Sequence, residues 1–160
     1  MTALRRPHGF TLIELVITLT ILALLASVAA PIAQLAVQRS KEQELRRNLW
    51  QVREAIDAYK RAYDEGRIPR RLDATGYPPS LEALVEGVED QRSPDKRRIH
   101  FLRRIPRDPF DPDSSSPAAA TWGKRSYASS AQEPREGDDV YDIYSRAPGA
   151  GLNGIPFAQW

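Results

Sequence analysis

The sequence predicts an α+β fold: one long N-terminal helix, apolar in its first half and amphipathic in its second, packed on a small antiparallel sheet. Three observations predict it. Residues 10–30, FTLIELVITLTILALLASVAA, are an apolar run with a single ionisable residue, Glu14. Further on, Leu45, Leu49, Val52, Ile56, Tyr59 and Tyr63 recur at alternating steps of four and three, the period of one helix face. The β-branched and aromatic runs cluster late, behind a Gly- and Pro-rich break at 64–80, which is the order of an α+β chain and not of alternating βαβ units.

The apolar run is long enough to cross a bilayer, since about 20 helical residues span a hydrocarbon core of about 30 Å. Its apolar residues lie all round the helix, unlike those of an amphipathic surface helix. An ordinary secretory signal is the alternative, with Ser27, Ala29 and Ala30 as a small-residue cleavage site, but such a signal has a shorter apolar stretch. It also lacks an internal acid. Glu14 costs on the order of 2.5–3.5 kcal/mol at mid-membrane, and less near the interface, so it either sits shallow or awaits a positive partner. A cut between Gly9 and Phe10 would supply one: the new amine of Phe10 would lie one helical turn from Glu14.

These residues, RPHG-FTLIELVITLTILALLASVAAP, resemble the class III leader of type IV pilins and pseudopilins: a short basic leader ending in Gly, then Phe-Thr-Leu-Ile-Glu and an apolar helix. The resemblance is continuous over residues 9–31. It implies that a prepilin peptidase cuts between Gly9 and Phe10 and methylates the Phe10 amine. It also implies that Glu14 acts in assembly as the fifth residue of the processed chain, and that Pro31 kinks the helix. Four segments follow: a leader at 1–9, a transmembrane or filament-core helix at 10–31, an amphipathic spine helix at 32–64, and a globular head at 65–160.

In the spine, opposite charges four apart, such as Glu42 with Arg46, each add tenths of a kcal/mol. The apolar stripe reads as a core-facing seam more readily than as a coiled coil, and Gly66 with Pro69 stops the helix. In the head, Ser80 is placed to cap a short helix at 81–86. Residues 90–98 are charged and expected to be exposed, 99–105 extended, 111–121 a flexible loop, and 124–129 with 139–145 strands. YPPSLEALV, FLRRIPRDPF, WG, DVYDIYS and a Gly-rich close resemble, in that order, the major pseudopilins of type II secretion.

That family commonly binds calcium in the loops around its last strand. Asp138, Asp139 and Asp142 are the candidate ligands here. The following SRAPGAGLNG lacks the family's acidic residue, and calcium prefers six to eight oxygens with several carboxylates, so a family-type site is not expected.

The charge balance is slight, +2, and becomes formally neutral, apart from a new amine, once Arg5 and Arg6 leave with the leader. Nucleic acid is therefore not expected as the main partner. Arg70–Arg71, Lys96–Arg98 and Arg103–Arg104 read as solvated faces. Cysteine is absent, which excludes disulfides and thiolate chemistry. Of two histidines, His8 lies in the leader and His100 has no nucleophile beside it in sequence. No phosphate loop or metal-ligand spacing occurs, so an enzyme is not expected.

The resemblance implies a pseudopilin in the periplasmic filament of a type II secretion system. Its partners would be further copies, other pseudopilins, the prepilin peptidase and an inner-membrane assembly platform. A single pass would leave the head in the periplasm, with Arg5 and Arg6 on the cytoplasmic side. The alternative within the same machinery is a type IV pilin or minor pilin for adhesion, motility or DNA uptake. The alternative outside it is a signal-anchored envelope enzyme or binding protein.

Overall fold

The computed structural model describes residues 9–70, 72 and 74–160. The leader residues Arg5, Arg6 and His8, and Arg71 of the basic pairs, lie outside the described residues. The chain divides into two compact units between Arg39 and Ser40.

One helix, α1, runs Leu12–Asp64. It begins where Thr11 accepts the N–H of Glu14 on its hydroxyl at 3.3 Å. Thr-x-x-Glu at a helix start is the capping-box pattern. Through residue 37 every side chain is exposed. The hydroxyls in this stretch fold back onto the helix: Thr18 donates to the Leu15 carbonyl at 2.9 Å, Thr20 to Val16 at 2.7 Å and Ser27 to Leu24 at 2.7 Å. Pro31 sits within α1 and has no N–H to offer the carbonyl four residues back.

From Ser40 onward α1 belongs to the second unit. Leu45, Leu49, Val52, Ile56 and Tyr59 are buried, as their spacing predicts, while Tyr63 is half-buried. Ala55 and Ala62 are buried as well and widen the seam. The helix ends in a Schellman motif: the Arg67 N–H reaches the Ala62 carbonyl and the Gly66 N–H reaches Tyr63, both at 2.9 Å. Gly66 takes φ 69°, a conformation that favours glycine.

The head supplies two antiparallel strand pairs. α2 (Glu82–Glu86) leads into β1 (Val88–Glu89), which pairs with β2 (Arg98–Ile99), Val88 facing Ile99. β3 (Trp122–Arg125) pairs with β4 (Asp142–Ser145), Trp122 facing Ser145 and Arg125 facing Asp142. Trp122, Ile143, Val140, Leu81, Leu84, Leu102 and Phe157 close over the α1 seam in one core. Trp122 is fully buried and its indole N–H is satisfied by the Pro106 carbonyl at 2.8 Å.

Several expectations shift. The extended segment at 99–105 stops at Ile99, because the N–H groups of Phe101 and Leu102 both turn to the Leu84 carbonyl. The strand expected at 124–129 starts two residues earlier and ends at Arg125. There Ser126 donates to Arg135 and Asp139 takes the Tyr127 N–H. Ser80 accepts the Ala83 N–H at 3.4 Å, although the helix proper begins at Glu82. Asp90, expected to be exposed, is buried and held by both Nε and an Nη of Arg67 at 3.1 and 2.7 Å. Residues 111–121 include a 3-10 turn at Ala118–Thr121, and Arg107 donates to the Asp113 and Ser116 carbonyls.

Candidate processing and assembly site

Gly9, Phe10 and Thr11 precede the first helical residue, so the Gly9–Phe10 bond lies in non-helical backbone. Among the described residues, chain neighbours aside, no atom lies within 4 Å of where a Cβ on Gly9 would sit, and Phe10 is 79% exposed. Glu14 stands in the first turn of α1 and is exposed. A carboxylate there is favoured by the positive end of the helix dipole. The FTLIE motif thus holds two devices at once: a helix cap made by Thr11, and an acid in the first turn of α1. The capping pattern was legible in the sequence from Thr11 and Glu14 alone.

α1 is long and apolar enough, by length and composition, to cross a membrane, and none of its apolar window is buried within the chain. Among the described residues nothing covers the side chains of residues 12–30.

The head motifs prove structural. Asp108 of DPF, Thr121 ahead of WG and Ser145 of DIYS meet in one buried polar knot. The Ser145 hydroxyl donates to Asp108 Oδ2 at 2.5 Å, and the Phe110 N–H donates to Oδ1 at 2.8 Å. The Asp108 N–H donates to the Thr121 hydroxyl at 3.2 Å. Charge-assisted bonds of this kind satisfy a buried carboxylate that would otherwise be costly. Sequence reasoning missed this knot, because its members lie 13 and 37 residues apart.

The calcium candidates do not converge. Asp139 accepts the Thr75 hydroxyl and, at 2.9 Å, the Tyr127 N–H. Asp142 is engaged by Arg53 at 2.7 Å and Arg125 at 3.3 Å. Asp138 is exposed beside a serine-lined groove. Among the described residues no three acids or histidines gather as a metal-binding group. The residues present thus do not fit calcium. His100 is exposed, with Nδ1 2.8 Å from the Val85 carbonyl. Lys96–Arg98, Arg103, Arg104 and Arg70 are exposed.

Residues 4–30 match the family model described as prokaryotic N-terminal methylation motif. The chain is 28% identical over 116 residues to type II secretion system core protein G of Vibrio cholerae, covering 71% of this chain and 72% of the relative. It is 27% identical over 142 residues to the protein of that name from Pseudomonas aeruginosa, covering 86% and 92%. Against that from Klebsiella michiganensis it is 25% identical over 139 residues, covering 83% and 90%. No solved structure gives a significant match. The exposed apolar helix, the methylation motif that contains it and these relatives agree: the chain is similar to core protein G of type II secretion systems over most of its length.

Proposed function

We propose that this chain is a structural subunit, not an enzyme, of the periplasmic filament of a type II secretion system. Residues 1–9 are a leader removed by a prepilin peptidase, which cuts between Gly9 and Phe10 and methylates the Phe10 amine. Residues 10–31 first anchor the subunit in the inner membrane, with the head in the periplasm, and then form the filament core. Residues 32–64 are the spine that carries the 65–160 head, and Pro31 kinks the helix between the two stretches. An inner-membrane assembly platform moves subunits from lipid into a filament of further copies and other pseudopilins.

The observation that carries this reading is the wholly exposed apolar half of α1 directly behind a methylation-type motif. In the filament, neighbouring copies of that helix cover one another. Such packing is non-directional, so a directional contact has to set the register. Glu14 supplies it by pairing with the Phe10 ammonium of an adjacent subunit. The pair is strong because both charges sit in a low-dielectric surrounding, and each left alone there would be costly.

The test is the mass of the N-terminal peptide after co-expression with a prepilin peptidase. The expected product begins at Phe10 and carries one added methyl group. A mature chain that keeps Met1, or that starts after Ala30, would overturn the reading in favour of a signal-anchored or secreted protein.

A further inference from the structure

Three side chains on one stripe of α1 hold the end of the chain. Glu42, Arg46 and Arg53 fall on nearly the same helical bearing. Glu42 Oε1 accepts the Leu152 N–H at 2.8 Å, and the Arg46 guanidinium lies 4.4 Å from the centroid of the Trp160 ring. Arg53 does more. Its Nε donates to Asp142 Oδ1 at 2.7 Å, and an Nη donates to the Ile143 carbonyl at 3.1 Å and to the Trp160 main-chain oxygen at 2.7 Å. One guanidinium thus gathers a carboxylate and two main-chain oxygens from β4 and from the final coil.

One acid and two backbone oxygens around the last strand are too few for calcium, which takes six to eight oxygens, but they suit one guanidinium. Here the cation is covalently part of the spine. The segment it secures, residues 146–160, contains no Asp or Glu, and of the acids just before it Asp139 is already committed to Thr75 and Tyr127, and Asp142 to Arg53 and Arg125. A guanidinium stays charged at every accessible pH, and its planar fork addresses several acceptors in fixed directions, which an ammonium cannot do.

We infer that Arg53 is the resident cation of this head: it, and not a bound calcium ion, ties β4 and the C-terminal coil to the spine, and the head is equally stable with and without calcium. The consequence is a head whose closure does not depend on calcium in its surroundings.

The test uses the full chain in detergent micelles and follows unfolding by tryptophan fluorescence, since Trp50, Trp122 and Trp160 all lie in the Ser40–Trp160 unit. Millimolar calcium chloride and a chelator are expected to give the same midpoint within about 1 °C, whereas ligand at 100 times its Kd raises the midpoint by roughly 5 °C or more. Arg53→Met is expected to lower the midpoint by about 4–8 °C, and Arg53→Lys to recover only part of that loss, because charge without the fork does not reach all three acceptors. A wild-type midpoint that rises with calcium overturns the inference without any variant having to fold. So does an Arg53→Met midpoint equal to wild type, or full recovery by lysine. None of these readouts depends on leader cleavage or filament assembly, so a failure here leaves the processing proposal standing.

Discussion

At the scale of single residues, the buried Asp90 is a position whose titration has a consequence for stability. The side-chain hydrogen bond from Arg67, then the N–H of Arg92, hold its carboxyl below the ordinary carboxylate value. A folded-state value below the unfolded one means that the ionised form favours the fold. The stabilisation is complete above the ordinary carboxylate value and is lost as pH falls through the depressed one. Asp90→Asn should therefore melt below wild type at neutral pH, with the gap narrowing as the pH falls below the ordinary carboxylate value. A gap that stays constant from neutral to acid would show that the ion pair has no such linkage. Asp90 also shows the limit of composition as a guide. The run at 90–98 is dense in charge, and only the fold reveals that one of its acids turns inward toward an arginine 23 positions earlier.

At the scale of elements, the β3–β4 pair explains why WG precedes the last strand in this chain. Trp122 fills the core, and Gly123 faces Tyr144 across the pair. A Cβ at Gly123 would stand 2.3 Å from the Tyr144 ring, so the aromatic lies directly over the glycine backbone. Gly123→Val should destabilise the head by about 1–3 kcal/mol in urea unfolding, as overpacking does. Adding Tyr144→Ala should return part of that loss, and a double variant no better than the single would exclude the ring as the obstacle. The α1 seam was legible because a helix writes its buried face into local spacing: Leu45 to Tyr59 needed no partner to be recognised. Strand boundaries were not, because β3 ends where Ser126 and Tyr127 find the partners Arg135 and Asp139 across a loop. The knot of Asp108, Thr121 and Ser145 was invisible for the same reason, although each residue sits in or beside a motif that sequence reading had singled out.

At the scale of the whole molecule, the chain combines a unit whose described residues bury no side chain and a unit with a core. The first must find cover elsewhere, and it carries an acid that lipid tolerates poorly. Two separable behaviours follow. Wild-type chain should sediment with membranes through a carbonate wash and be released by detergent. A Glu14→Leu variant should do the same, or bind more firmly, since it removes a cost on the order of 2.5–3.5 kcal/mol or less, depending on depth. The variant should nonetheless fail to form filaments when processed and supplied with the assembly machinery. Filaments at wild-type yield from Glu14→Leu would remove the register contact from the proposal.

The hydroxyls of Thr18, Thr20 and Ser27 have one further effect. Each is already answered by a carbonyl of its own helix. A rod wired this way would keep these three bonds whether acyl chains or other helices cover it, so none of the three hydroxyls adds a polar penalty in either surrounding.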